Sequence, residues 1–187
     1  MKLSYLVGIA AFWLASIAYG FWDIREFESS PGAAMGAPSI WPSTSRIPAP
    51  RGETRVVIFV HPKCSCTRAS LEELATLGAR IPGPVSVWVV IEESQEVAFS
   101  SLPGASAINV LHVTETHDPQ GVEARLFGAL TSGHVVVYDS SGKLRFSGGI
   151  TGARGHVGDN WGAKRLTNAV AHPELAATTH GVYGCPL

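Results

Sequence analysis

The chain has 187 residues, of which 45% are hydrophobic and 16% charged, and its formal net charge is −1. This composition excludes a disordered chain and gives no basic surface for binding nucleic acid, and the length fits one domain with a short extension. Three cysteines are too few for a fold held together by disulfides, and an odd number leaves one thiol unpaired if the other two bond.

The first predicted element is an uncharged run near the N-terminus. Residues 5–22 are eighteen consecutive residues without a charge, which as a helix would span about 27 Å, close to the thickness of a bilayer core. The run is long for a signal peptide, and a cleaved signal with a weak site at 18–20 is the alternative. With Lys2 on the cytoplasmic side, we expect residues 1–4 to be a cytoplasmic stub. Residues 5–22 are then a single-pass transmembrane anchor, and the rest of the chain lies on the extracytoplasmic (periplasmic) side of the membrane.

Residues 23–52 are predicted to be a Pro/Gly-rich linker. The stretch 28–52 contains five prolines and three glycines, a composition typical of a semi-extended connection. We expect it to hold the domain away from the membrane surface. The globular domain is therefore predicted over residues 53–187, which is long enough for one hydrophobic core.

Strand and helix patterns alternate in this domain. Continuous β-branched runs at 55–60 and 85–91 predict strands buried on both faces, and leucines at helical spacing predict a helix over 67–80. The further predicted elements are a strand at 108–113, a helix around 119–129, a hairpin of strands at 134–138 and 143–146, and a helix over 157–172 with Trp161, Leu166 and Val170 facing inward. This order predicts an α/β sandwich with a mixed sheet.

The sequence HPKCSC at 61–66 lies between the first strand and the first helix of the domain. A helix N-terminus carries partial positive charge, and His61, Lys63 and Arg68 add charge nearby, which favours a reactive thiolate. The thiols of Cys64 and Cys66 can exchange one disulfide, which in so small a loop should be strained and easily reduced. The alternative is that these cysteines are inert or form a structural bond.

The segments RVVIFVHPKCSCTRASLEELATL and HVVVYDSSGKLRFSGG resemble the thioredoxin-like superfamily over residues 53–172, most closely small membrane-anchored bacterial redox proteins described as RedB-like. The resemblance implies a thioredoxin-like three-layer sandwich with a mixed central sheet, and a role in thiol–disulfide exchange, peroxide reduction or copper handling. Two registers are open: Cys64 matches the second cysteine of the family with His61 at the nucleophile's place, or Cys64 is the nucleophile and Cys66 resolves. The sequence at 131–133, Thr-Ser-Gly, stands where the family has a cis-proline.

The glycine-rich segment 148–156 follows the predicted hairpin. In the implied fold it returns to the cysteine end, where Arg154 and His156 would hold an anion or exchange protons. The alternative is an ordinary turn with a surface arginine and a capping histidine. The glycine spacing matches neither a dinucleotide-binding motif nor a P-loop.

The third cysteine, Cys185, lies close to the C-terminus. The fifteen residues after the last predicted helix can extend up to roughly 50 Å, enough to reach the cysteine motif. We expect the tail to fold back, with Val182, Tyr183 and Leu187 packing on the domain. Cys185 would then pair with one of the other cysteines in one redox state, or complete a metal site.

The favoured hypothesis is a membrane-tethered, extracytoplasmic thiol–disulfide redox protein. Cys64 attacks a disulfide or an oxidant, and Cys66 resolves the mixed species. His61, Arg154 and His156 tune the charge of the thiolate. No bound organic cofactor is implied, because the electrons would come from a redox partner protein or a disulfide substrate.

Two alternatives belong to other functional classes. One is a copper-binding or metallochaperone-type protein, in which His61, Cys64, Cys66 and Cys185 offer an imidazole and soft sulfur ligands for copper(I). The other is a non-catalytic interaction module. Copper uptake by the reduced protein that is lost in Cys64→Ser would distinguish the metal hypothesis from the others.

Overall fold

A computed structural model describes residues 3–78, 80–81, 83–92 and 97–187. The chain divides into two compact units, Met1–Ser30 and Pro31–Leu187. The first contains helix α1 (Leu3–Ser29), which has 27 residues, none of them buried. With a mean hydropathy of 1.6 over its most apolar window, α1 is long and apolar enough to cross a membrane.

The second unit is built on one six-stranded mixed sheet. Its strands are β1 (Thr54–Val60), β2 (Val85–Ile91), β3 (Val113–His117), β4 (His134–Tyr138), β5 (Leu144–Gly148) and β6 (Thr178–Thr179). Its α-helices are α2 (Cys66–Gly78), α3 (Val122–Leu126) and α4 (Trp161–Ala171), with short 3-10 helices at Phe99–Ser101 and Ala105–Val110.

The strand order in the sheet is β3-β2-β1-β4-β5-β6. Strands β1, β2 and β3 are parallel, β4 is antiparallel to both β1 and β5, and β6 runs parallel to β5. The β1-α2-β2 unit is thus followed by the β4-β5 hairpin and α4 on the same sheet. This confirms the predicted α/β class and the thioredoxin-like fold.

The apolar runs in β1 and β2 are explained by a core on each face of the sheet. Val56, Ile58 and Val60 lie in one core together with leucines of α2 and α4. Val57 and Phe59 point to the opposite face, as alternate residues of a strand do, and lie in a second core. Because both faces are covered, strand β1 has no polar alternation, and its C-terminal end is held rigidly at the cysteine motif.

Two of the predicted elements are wrong in detail. The strand expected at 108–113 is replaced by the 3-10 helix Ala105–Val110 and by β3, which begins only at Val113. The apolar Ile108 is buried against the α2 face rather than in the sheet. Trp161 is expected to face inward but is 72% exposed. It is the first residue of α4, and its ring contacts the Lys164 ammonium, 5.6 Å from the ring centroid.

The linker predicted for residues 23–52 also differs from the structure. Residues 23–29 continue α1, since Arg25, Glu26 and Glu28 are good helix formers, and the helix ends two residues before Pro31. Residues 31–52 belong to the second unit.

Residues 31–52 have little regular secondary structure, with isolated β-bridges at Ala34 and Ile40 and a turn at 43–44, and they pack against the rest of the second unit. The Trp41 N–H donates to the Gly142 carbonyl at 2.8 Å, and the Trp41 ring meets those of Phe127 and Tyr138 edge-on at 4.9 and 5.0 Å. Two further backbone bonds join the segment to the domain: the Met35 N–H donates to the Gly128 carbonyl at 2.9 Å, and the Leu144 N–H donates to the Ser39 carbonyl at 2.9 Å. The segment is therefore an integral part of the fold.

Candidate functional site

The cysteine motif forms the turn that connects β1 to α2. The Cys64 N–H donates to the His61 carbonyl at 3.0 Å, and the Thr67 N–H donates to the Cys64 carbonyl at 3.1 Å. Cys66 is the first residue of α2. Cys64 and Cys66 are 1% and 5% exposed, and none of the three cysteines of the chain is in a disulfide.

Ser132 fixes this turn from the opposite side of the site. Its hydroxyl oxygen accepts from the His61 N–H at 2.9 Å and lies 3.1 Å from the Thr67 hydroxyl, and its side chain also hydrogen-bonds Cys64. Within the described residues there is no cis peptide bond, so the segment 131–133, where the resemblance implied a cis-proline, has only trans peptide bonds. Sequence reasoning missed this role; the only signal was a small polar residue directly before the hairpin.

The C-terminal tail lies across the same site. The Ser132 N–H donates to the Cys185 carbonyl at 2.8 Å, and the Leu187 N–H donates to the Leu130 carbonyl at 3.0 Å. Thr131 and Pro186 form an antiparallel bridge between these bonds. The Cys185 N–H points at the Cys64 sulfur at 3.3 Å. The tail therefore returns to the motif, as expected, and places the third thiol beside Cys64.

The glycine-rich segment 148–156 reaches the thiols through two of its residues. The Arg154 guanidinium donates to the carbonyl of Gly184, next to Cys185, and its charge partly offsets the rise that burial causes in the pKa of Cys185. The Gly155 N–H hydrogen-bonds Cys66. His156 differs from the expectation: its ring is exposed and its Nδ1 lies 2.8 Å from the Arg154 carbonyl, and none of the described contacts joins it to a cysteine.

The three thiols have different affinities for a proton. Burial alone would raise the pKa of Cys64, but hydrogen bonds from the thiol and N–H of Cys185, the N–H of Cys66 and the Ser132 hydroxyl hold it below its ordinary value. Burial, together with the negative charge of Cys64, raises the pKa of Cys66. Burial and the thiol contact with Cys64 raise the pKa of Cys185 to about 11. Cys64 is therefore the sulfur that the site stabilises as a thiolate.

The physical cause of this stabilisation is in part the one expected from the sequence, because the Cys66 N–H at the start of α2 is one of the donors; the charged side chains expected to assist it are directed elsewhere. The His61 Nδ1 accepts from the Lys63 N–H at 3.2 Å, and the Arg68 guanidinium pairs with Glu72 at 2.9 Å on an exposed part of α2. Neutral donors directed at the Cys64 sulfur, rather than these charged side chains, lower its pKa. A charge held by a fixed network of donors is largely insensitive to salt, unlike one held by surface cations.

The metal hypothesis finds no support in the arrangement of the side chains. Among the described residues, no group of three or more His, Cys, Asp or Glu side chains is placed so that it could hold a metal ion. Of the set His61, Cys64, Cys66 and Cys185, Cys64 lies beside Cys66 and Cys185, whereas the His61 Nδ1 accepts from the Lys63 N–H.

No protein-family model matches the chain, and no curated protein matches it. The structure is similar to that of a hypothetical protein from Sinorhizobium meliloti 1021, with 15% identity, a TM-score of 0.58, and 83% of this chain and 97% of that one covered. It is also similar to an uncharacterized conserved protein from Geobacillus kaustophilus, with 13% identity, a TM-score of 0.55, and 85% and 93% of the two chains covered. A secreted disulfide oxidoreductase from Mycobacterium tuberculosis is more distant, with 17% identity, a TM-score of 0.44, and 65% and 82% covered. The first two similarities establish a shared fold.

Proposed function

We propose that the protein carries out thiol–disulfide exchange with Cys64 as its nucleophile. The observation that supports this most directly is the convergence of four hydrogen-bond donors on one buried sulfur. A neutral thiol can be buried without hydrogen-bond donors around it. A buried thiolate is stable only when such donors compensate its negative charge. The two neighbouring thiols remain protonated and are available for a second step.

The reaction begins when the Cys64 thiolate attacks one sulfur of a substrate disulfide. A mixed disulfide forms between Cys64 and the substrate, and the other substrate sulfur leaves as a thiolate. A second thiol of the site then attacks the Cys64 sulfur and releases the remaining substrate thiolate. Because Cys64 is only 1% exposed, a substrate reaches it only after the tail at 184–187 moves aside.

The test is the reduction of a fluorescently labelled glutathione disulfide by the full chain in detergent, with dithiothreitol as the electron donor. We expect a rate above that of dithiothreitol alone and its complete loss in Cys64→Ser. Circular dichroism of the variant provides the control, because it must show the secondary structure of the parent protein. An unchanged rate in a correctly folded Cys64→Ser variant would exclude this function.

We further propose that α1 tethers the domain to a membrane, with the domain on the extracytoplasmic side. Support comes from the length and hydropathy of α1 and from the absence of any buried residue along it, because an apolar helix of this length has no stable place in water. Thiols that exchange disulfides also suit an oxidising compartment. Protease added outside spheroplasts should digest the domain and leave the helix in the membrane fraction. Recovery of the intact chain in the soluble cytoplasmic fraction would contradict the proposal.

A further inference from the structure

The residues 184–187, here called the docked tail, are attached to the site at several points. Two backbone hydrogen bonds join the docked tail to residues 130–132. A β-carbon added at Gly184 would fall on the Ser132 carbonyl oxygen, so only glycine permits so close an approach. The Arg154 guanidinium binds the Gly184 carbonyl from the other side. These contacts show that the docked tail is a fixed part of the domain.

These attachments present Cys185 to Cys64. The Cys185 N–H lies 3.3 Å from the Cys64 sulfur, and the Cys185 thiol also hydrogen-bonds that sulfur. The two residues lie on separate segments of the chain. A bond between their sulfurs would therefore leave the turn at the start of α2 unchanged.

Cys66 is less well placed to bond Cys64. Only Ser65 separates the two residues, and the bond from the Thr67 N–H to the Cys64 carbonyl closes the turn that contains them. The Cys66 thiol also hydrogen-bonds Cys64, but the bond from the Cys66 N–H to the same sulfur holds both residues in this tight turn. A disulfide of about 2 Å between them would require this turn to open.

We propose that Cys185, rather than Cys66, is the resolving cysteine, and that the oxidised form of the site is a Cys64–Cys185 disulfide. This inference rests on the proposed exchange reaction at Cys64. The Cys185 sulfur attacks the Cys64 sulfur of the mixed disulfide, the Cys64–Cys185 bond forms, and the bond to the substrate breaks. The substrate sulfur leaves as a thiolate and takes up the proton that Cys185 gives to solvent. Two electrons pass from Cys64 and Cys185 to the substrate disulfide, and a dithiol donor returns the site to its reduced form.

The electrostatics of the site favour this order of events. While Cys64 is a thiolate, its charge and hydrogen bond help to keep the pKa of Cys185 high. Once Cys64 is in a neutral mixed disulfide, that contribution disappears; burial still raises the pKa of Cys185, and the charge of Arg154 opposes this rise. Cys185 therefore becomes a better nucleophile only after Cys64 has reacted.

The test is to follow the reaction of the reduced full chain with oxidised glutathione. Samples are quenched with acid, alkylated and digested without reduction, and mass spectrometry measures the glutathione on Cys64 and any bond between residue 64 and residue 66 or 185. Cys66→Ser and Cys185→Ser form a matched pair, since each removes one thiol beside Cys64. We expect Cys66→Ser to resolve like the parent and form the 64–185 bond, whereas Cys185→Ser should retain glutathione on Cys64 roughly tenfold longer or more, because the intramolecular attack is lost. The opposite pattern, or equally fast resolution in both variants, would overturn the inference.

Two further variants separate the possible failures. The double variant Cys66→Ser/Cys185→Ser should trap glutathione on Cys64 permanently; if it does not, the exchange function itself fails. Gly184→Ala keeps all three thiols but displaces the docked tail, and we expect it to accumulate the mixed disulfide as Cys185→Ser does. If Gly184→Ala resolves the mixed disulfide at the parent rate, the docked tail does not position Cys185 for attack, and the proposed role of Cys185 is overturned.

Discussion

Oxidation of the site should stabilise the folded domain by an amount that depends on which cysteine bonds Cys64. A disulfide stabilises a protein mainly by restricting the unfolded chain, and the effect grows with the length of the loop that it closes. A Cys64–Cys185 bond closes a loop of about 120 residues, for which the chain-entropy relation predicts about 5 kcal/mol. A Cys64–Cys66 bond encloses only Ser65 and gives about 1.5 kcal/mol by the same relation.

The free energy of unfolding can be measured for the full chain in a nonionic detergent, by denaturant titration followed through tryptophan fluorescence. Of the three thiols, Cys66→Ser retains only the pair that forms the long-range bond, and Cys185→Ser only the pair that forms the local one. On oxidation we expect a gain of about 2 to 5 kcal/mol in Cys66→Ser and at most about 1.5 kcal/mol in Cys185→Ser. Equal gains in the two variants, or a gain confined to Cys185→Ser, would refute the reasoning from the docked tail.

Three further substitutions test the hydrogen bonds around Cys64, the burial of His134 and the packing of residues 31–52. Ser132→Ala removes a donor to Cys64 and leaves buried partners unsatisfied, so the pKa of Cys64 should rise in a thiolate titration and unfolding should cost about 1–3 kcal/mol less. Burial lowers the pKa of His134 to about 4, so the folded state binds fewer protons than the unfolded state below pH 6.5. This histidine should therefore make stability fall by about 3 kcal/mol between pH 6.5 and 4. In His134→Gln, thermal unfolding over the same pH range should show only the smaller fall due to carboxylates such as Asp139, whose pKa is lowered. Trp41→Ala should cost about 3–5 kcal/mol in denaturant unfolding because the ring is buried in a core; a negligible loss would mean that residues 31–52 do not belong to the fold.

Sequence patterns predicted the central sheet well because its strands are paired and covered on both sides. The residues of β1 and β2 that lie in the two cores are all apolar, so the residue types alone predict that both strands are buried. Strand β3 pairs only with β2 at the sheet edge and has the sequence VTETH. Its polar residues do not predict a buried strand. The apolar residues from Ile108 onward do, so the strand was predicted at 108–113.

The candidate site was predictable only in part. The position of Cys64 between a buried strand and a helix indicated a reactive thiol, and the length of the tail allowed Cys185 to return. The partners that define the chemistry depend on tertiary contacts between distant segments. Ser132 is 68 residues from Cys64 in the chain, and the tail docks through backbone groups of 130–132, which any residue type carries. Residues 31–52 were predicted to be a free linker for the same reason: their prolines and glycines are typical of linkers, and the contacts of Trp41 with the domain are tertiary.

The most direct test of the account is an ultraviolet titration of the thiolate at Cys64. Absorbance near 240 nm reports thiolate at equilibrium, so the burial of the sulfur does not impede the measurement. The reduced full chain should show one thiolate that forms at a lower pH than in the same chain unfolded in denaturant, and Cys64→Ser should lose that step, because hydrogen bonds lower the pKa of Cys64 alone. If all three thiols ionise at or above their pH in the unfolded chain, Cys64 is not an activated nucleophile and the proposed exchange reaction is contradicted.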